Sequence, residues 1–327
     1  MSDKDAVTKD FMQDRETFAD AFNFFVYGGR KVIDPEQLTP MDTSSVVLPY
    51  DGAGSPVPAQ KYRDVIKLAA LMRGPEAEYL LLGIENQSQV NYAMPVRNLL
   101  YDAMQYASQV NETARLHKKD GVYGNNAEYL SGFHKTDRLI PVITLTIYFG
   151  AEVWDAPRSL HDMLSVSVND DMAVSFISDY KMNLLVPAEI EDGDFPKFSS
   201  ELSQALKFIK YSRDKLKLRQ IVEEDPGYRA VSKRTADMLS VVTGSGLKYN
   251  EGEERVDMCK AIDDMREEAR AEGREAGIEI GREEGIGIGS IRMLAGLVKD
   301  EILTLADAAK RINLTVPEFE AKAGLEA

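Results

Sequence analysis

The sequence predicts an α/β protein, a mixed β-sheet flanked by helices and followed by a mostly helical C-terminal region. Three observations lead there. Strand-like runs at 60–72 and 78–86 are joined by Arg73-Gly74-Pro75-Glu76, a hairpin signal. A β-branched run at 140–149 reads as a buried strand. Helical spacing of apolar residues fills the segments before, between and after these runs.

The elements follow in order. Phe11, Phe18, Phe22 and Phe25 recur at helical spacings over 8–30, and Gly28-Gly29 marks the stop. Pro35, Pro40, Pro49 and Asp51-Gly52-Ala53-Gly54-Ser55-Pro56 mark irregular chain before the first strands. Residues 93–110 read as a helix, with Pro95 tolerated in its first turn. The polar stretch 112–137 reads as a loop with a helical piece. Met182-Asn183-Leu184-Leu185-Val186-Pro187 is a shorter strand, and 198–270 is mostly helical.

Residues 266–291 place a small residue at every fourth position: Ala269, Gly273, Gly277, Gly281, Gly285 and Gly289. A helical glycine costs about 1 kcal/mol against alanine, so close approach of a second helix is expected to offset the stripe. The competing reading is a flexible linker. Arg274, Glu275, Arg282, Glu283 and Glu284 exclude a membrane span. Residues 304–319 read as helix, turn, helix. With six acids against three bases in 300–327, this hairpin lacks the charge of a DNA-reading element. The predicted organisation is therefore a core over 1–165, its end with a helical extension over 166–265, a glycine-repeat helix over 266–292 and a helical hairpin over 293–327.

The composition is that of a soluble globular chain, 44% hydrophobic and 28% charged over 327 residues. One cysteine, Cys259, excludes a disulfide framework and fits a reducing compartment. No apolar run is long enough to span a bilayer, and the polar N-terminus carries no signal peptide, so a bacterial cytoplasm is expected. The net charge of −15 counts against generic nucleic-acid binding. The deficit is spread: 16 basic and 22 acidic residues in 1–164, then 23 and 32 in the remainder.

The chemistry concentrates at Asp64 and at Glu85-Asn86-Gln87, which closes the run Tyr79-Leu80-Leu81-Leu82-Gly83-Ile84. Strand alternation sends Glu85 and Gln87 to one face. It also sets Asp64 beside Ile66 and Leu68 on what should be an apolar face, where a lone carboxylate is costly. Two carboxylates at neighbouring strand ends repel unless a proton or a cation neutralises them. A hard divalent cation takes such oxygen ligands. Asp, hairpin and Glu-x-Gln is the arrangement a metal-dependent phosphodiesterase of the restriction-endonuclease-like fold needs.

The stretch Ile84-Glu85-Asn86-Gln87-Ser88-Gln89-Val90-Asn91-Tyr92-Ala93-Met94-Pro95-Val96-Arg97-Asn98-Leu99-Leu100-Tyr101 resembles the signature of the Rpn family. These are recombination-promoting nucleases, also described as transposases, of the PD-(D/E)XK superfamily. Pro141-Val142-Ile143-Thr144-Leu145-Thr146-Ile147-Tyr148-Phe149-Gly150, with Trp154 beyond it, is similar to the family's next strand. Phe18-Ala19-Asp20-Ala21-Phe22-Asn23 resembles its first helix. The likeness covers roughly residues 10–165.

The resemblance implies Mg²⁺-dependent cleavage of DNA, with Mn²⁺ as an alternative metal, and a role in recombination or mobile-element biology. It assigns Asp64 and Glu85 as metal ligands and the Asn86 backbone carbonyl as a further one. Gln87 stands where the superfamily more often has lysine, and it would orient the attacking water by hydrogen bonds. The first helix of such folds often adds an acid: Asp20, with Glu16 one turn earlier as the alternative. Arg97, Arg63 and Lys67, together with Lys61, would contact DNA phosphates. An ordinary salt bridge is the competing role for Arg97, and capping for Ser88. The rival functions are a nuclease-like module that binds or regulates with little catalysis, and an oligomeric scaffold built on the glycine-repeat helix. Self-association through that helix is expected in either case. His117, His134 and His161 are scattered and give no readable zinc site. Gly244-Ser245-Gly246-Leu247-Lys248 lacks P-loop spacing.

Overall fold

A computed structural model describes residues 3–41, 44–47, 59–62, 64–72, 77–165, 174–247, 249 and 252–324. The chain divides into two compact units, Met1–Ala261 and Ile262–Ala327. The first is an α/β body around a five-stranded mixed sheet, with a mostly helical remainder.

The sheet joins β1 (Leu38–Pro40), β4 (Val65–Met72), β5 (Ala77–Gln87), β6 (Val142–Tyr148) and β7 (Asn183–Leu185), in that spatial order. β1 with β4 and β4 with β5 are antiparallel, while β5 with β6 and β6 with β7 are parallel. Leu81, Leu82, Ile84, Leu145 and Ile147 are almost fully buried. Near-continuous apolar runs of this kind mark strands covered on both faces. The segment 60–72, read above as one strand, is two. Residues Ala59–Tyr62 (β3) pair with Ser44–Val47 (β2) in a separate ribbon, and β4 begins after Asp64. The expected hairpin at Arg73-Gly74-Pro75-Glu76 lies outside the described residues, as does 51–56, but its two strands pair in register from Val65 opposite Ile84 to Met72 opposite Ala77.

The first helical stretch also differs from the reading. It is two helices, α1 (Asp3–Gln13) and α2 (Arg15–Tyr27). Asp14 breaks them by capping α2, its carboxylate accepting from the Thr17 backbone N–H at 2.9 Å. Gly28, at φ +64, closes α2. Gly29, at φ +90, lies where a Cβ would fall 2.7 Å from that of Lys197, so neither its backbone nor its surroundings admit a side chain. Helix α3 (Met94–Asp120) connects β5 to β6 and runs ten residues beyond the predicted end at 110. Its added turns are polar and exposed, supported by surface pairs such as Arg115 with Glu112 at 2.6 Å. Hydrophobic periodicity does not reveal such turns.

Within the first unit, the stretch after the last long strand packs back onto the N-terminal helices. Lys4 Nζ donates to the Val242 carbonyl at 2.8 Å, and Asp20 binds the turn at Ser199 and Ser200. The helix Met258–Lys299 starts in the last residues of the first unit, and in the second it leads into two short helices, Leu305–Arg311 and Val316–Ala323. These close on Leu294, Ala295, Ala308, Ala309 and Phe319, the helical hairpin that the sequence suggests. Gly273, Gly277, Gly281, Gly285 and Gly289 all lie within the long helix, and a Cβ built on any of them meets no atom within 4 Å. Among the described residues no helix is long and apolar enough to cross a membrane.

Candidate active site

The candidate site forms where β4 starts and β5 ends. The β4–β5 ladder ends at Val65 opposite Ile84, so Asp64 and Glu85 are the next residues beyond that last pair. With β4 beginning only at Val65, the Asn86 N–H meets the Asp64 carboxylate in place of a strand carbonyl, donating to Oδ2 at 2.8 Å. Asp64 is half-buried, and Glu85 has no exposure at all.

Helix α3 supplies the counter-charge. Arg97, in its first turn, places Nη2 3.2 Å from Glu85 Oε2. Its Nε donates to the Tyr101 hydroxyl at 3.1 Å, one helical turn later. The helix is fixed to the sheet by Asn98, whose amide donates to Thr146 Oγ1 at 2.8 Å. Arg97 thus takes the salt-bridge role; the structure shows its guanidinium committed to Glu85 and Tyr101.

Charge and burial shape the titration of this group. Burial pushes the Asp64 carboxyl up, and Asp5 adds to that; the Asn86 N–H, Arg97 and Lys9 oppose it without cancelling it. Burial works against the charged form of Arg97, but Glu85, the Tyr101 hydroxyl and Asp64 outweigh it and raise the Arg97 pKa. Burial and then Glu85 raise that of Tyr101.

Asp5 and Lys9 were not singled out from the sequence. They are half-buried and four residues apart on α1, and the Ser88 hydroxyl approaches Asp5 Oδ1 at 3.4 Å. Their i, i+4 spacing was visible, but the helical reading began at residue 8 and left Asp5 in a polar lead-in. Tyr101, the partner of Arg97, was likewise unassigned.

Two expectations are corrected. Asp20 does not face this group. Its carboxylate, 2% exposed, accepts from the Ser199 N–H at 2.9 Å, the Ser200 N–H at 2.9 Å and the Ser200 hydroxyl at 2.6 Å. It is a structural clamp on that turn. Glu16, the alternative, is exposed on the first turn of α2. Lys67 cannot reach phosphate, because it is 3% exposed and its Nζ donates to the Gln13 carbonyl at 2.8 Å. It lies 4.4 Å from the centroid of the Phe18 ring, so it serves the break between α1 and α2. Burial lowers its pKa to about 8. Arg63 and the side chain of Lys61 lie outside the described residues.

Gln87 donates from Nε2 to the Asn86 carbonyl at 2.8 Å, on the oxygen expected to bind metal. The Asn86 side-chain amide is buried, and neither its oxygen nor its nitrogen has a hydrogen-bond partner among the described residues. Buried amides are rarely left so. Asp64, Glu85 and the Asn86 carbonyl offer oxygen donors alone, the ligand type a hard divalent cation takes. No family model, curated protein or solved structure matches the chain.

Proposed function

We propose that the chain is a divalent-cation-dependent DNA endonuclease of the restriction-endonuclease-like fold. The observation that carries this reading is the meeting of two acids and one arginine at the strand ends: the Asp64 carboxylate accepts the Asn86 N–H at 2.8 Å, next to Glu85, and Arg97 pairs with Glu85 at 3.2 Å. The order of elements supports it: two helices, three antiparallel sheet strands with a two-stranded ribbon after the first, a connecting helix and a parallel strand. So does the resemblance of residues 84–101 to the Rpn signature, which links the activity to recombination or mobile-element biology. Action in the cytoplasm and assembly through residues 266–291 belong to the same proposal.

Asp64, Glu85 and the Asn86 carbonyl would hold Mg²⁺ or Mn²⁺. When bound, such an ion polarises the phosphate and lowers the pKa of its water. Asn86 keeps Asp64 in position through its N–H. Arg97 orients Glu85 and, being only partly buried, leaves positive charge at the mouth of the site. Gln87 is placed to orient water or phosphate once its amide leaves the Asn86 carbonyl.

A second reading has its own support. The Arg97–Glu85 ion pair already neutralises the buried acid, Gln87 brings no charge, and the chain is strongly acidic. All three suit a nuclease-like module that binds or regulates with little catalysis. A plasmid-nicking assay with Mg²⁺, Mn²⁺ or EDTA separates the two. Nicking that EDTA stops, and that Asp64→Ala reduces by at least about 100-fold, supports the nuclease, since metal-held charge is worth several kcal/mol in the transition state. Gln87→Ala should lose less than Asp64→Ala. Intact plasmid under every condition supports the regulatory module.

A further inference from the structure

We propose, building on the DNA reading, that the far end of α3 and the turn packed against it form a second nucleic-acid contact, which holds an unpaired strand away from Asp64 and Glu85. Helix α3 ends at Gly121 in the left-handed conformation. The short helix α4 (Asn126–Ser131) then turns the chain back along α3. Gly132, at φ +68, lies so close to α3 that a Cβ there would be 2.7 Å from the Ala114 Cβ.

That approach gathers four rings that the sequence scatters. His117 and His134 stack, with centroids 3.6 Å apart and planes 7° apart. Tyr123 stands edge-on to His134 at 5.9 Å and edge-on to Tyr129 at 5.3 Å. Carbonyls hold the two imidazoles in place: His134 Nε2 lies 3.0 Å from that of Val122, and His117 Nδ1 3.1 Å from that of Gly132. At the outer end of the row Tyr129 is 65% exposed, and Val122 and Leu130, next to the two tyrosines in sequence, are 69% and 76% exposed. So much exposed apolar surface on one short segment marks a contact site. A ring already braced by its neighbours loses little freedom when a base stacks on it.

The charge around the row is opposite to that of the chain. Arg115, Lys118, Lys119, Lys135 and Arg138 stand against Asp120, Glu128 and Asp137, in a chain of net charge −15. Two of these acids are turned onto the backbone. Glu128 accepts the Gly124 N–H at 2.8 Å and the Lys135 N–H at 3.1 Å, and Asp137 accepts the His134 N–H at 2.6 Å. Arg115 is paired with Glu112. Lys118, Lys119 and Lys135 are exposed and make no ion pair among the described residues. Ammonium groups for the phosphates and an exposed π-face for the bases are the two parts of a single-strand site. A duplex keeps the faces of its bases stacked inside. Helix α3 rises about 33 Å from Arg97 to Lys119, so this contact is separate from the proposed metal site.

The test is fluorescence anisotropy of a labelled oligothymidine and of a labelled duplex, with the full chain in EDTA so that no metal-dependent cleavage occurs. The wild type should bind the single strand more tightly than the duplex. Tyr129→Ala should weaken the single-strand complex by about 5–100-fold, and Tyr129→Phe, which keeps the π-face, should not. Lys118→Ala and Lys135→Ala should each lower the slope of log K against log salt by about 0.7. Circular dichroism checks the fold of each variant. Equal single-strand binding by the wild type and Tyr129→Ala, or no single-strand binding by the wild type, overturns the proposal. So does binding of the wild type to phosphatidylserine vesicles in place of the oligonucleotide, which would assign the patch to a lipid surface. Plasmid nicking is scored separately: failure here leaves the nuclease reading standing, and a chain that binds the oligonucleotide through Tyr129 without nicking loses only that reading.

Discussion

The Asp64 carboxylate accepts the Asn86 backbone N–H at 2.8 Å, so a side chain at the mouth of one strand continues the ladder of the next. The acid is therefore positioned by sheet geometry, and the sheet in turn depends on the acid. The placement of the acid and the folding of the sheet are coupled at this point.

The Arg97–Glu85 pair makes the coupling measurable. Removing one partner of a buried ion pair leaves a charge without compensation and costs about 3–5 kcal/mol. Arg97 retains about a third of its exposure, so Arg97→Ala should cost less, about 2–3 kcal/mol. Glu85→Gln keeps the shape and should cost less again. Urea unfolding of the three proteins checks this; an Arg97→Ala midpoint equal to wild type would show that the pair contributes nothing. Glu85→Ala is consequently a poor probe of catalysis, because it perturbs the fold as well.

Asp20 gives the complementary case. Asp20→Ala leaves the Ser199 and Ser200 N–H groups without their acceptor and should destabilise by about 2–3 kcal/mol. Metal-dependent nicking below the melting temperature should persist. Abolished nicking in a fully folded Asp20→Ala protein would return this acid to the reaction.

Lys67 predicts a pH effect of defined sign. Its folded pKa of about 8 lies below the ordinary 10.5, so the folded protein binds fewer protons than the unfolded chain between those values. Stability attributable to Lys67 is then present above 10.5 and lost as pH falls through about 8. Urea midpoints should rise from pH 7.5 toward 10 in the wild type relative to Lys67→Met. Parallel curves for the two proteins would contradict the buried assignment. In DNA binding, Lys67→Met should leave the salt dependence unchanged, since the residue meets no phosphate.

The glycine stripe yields an assembly prediction. A four-residue repeat drifts about 40° per step on a 3.6-residue helix. The stripe therefore winds and suits a short crossing contact. Gly277→Leu with Gly281→Leu should break an oligomer by steric exclusion while raising helix propensity. Sedimentation at micromolar concentration decides: a monomeric wild type, or an unchanged oligomer in the double variant, removes the idea.

Much of the sheet was legible because its signals are local. Tyr79–Gln87 and 140–149 carry strand composition, and Glu85 and Gln87 take their common face from alternation alone. Asp64 was legible as an acid in an apolar pattern. The contribution of α1 was not, since Asp5 and Lys9 meet the strand ends only through tertiary packing. Asp20 and Lys67 failed for a related reason. Both are charged residues in apolar surroundings, which as sequence looks the same whether the charge serves chemistry or satisfies backbone groups at a turn. The end of α3 was hidden because exposed helix carries no hydrophobic period.

Strand β5 is third of five and bonded along both edges, to β4 and to β6. Glu85 and Asn86 therefore cannot shift without breaking the ladder to β6 and the Asp64 hydrogen bond at once. Asp5 and Lys9 ride on one helix outside the sheet. The sheet is the anvil and the helix the jaw: displacement would fall to α1, and amide exchange should be slowest along β5 and fastest in the first turns of that helix.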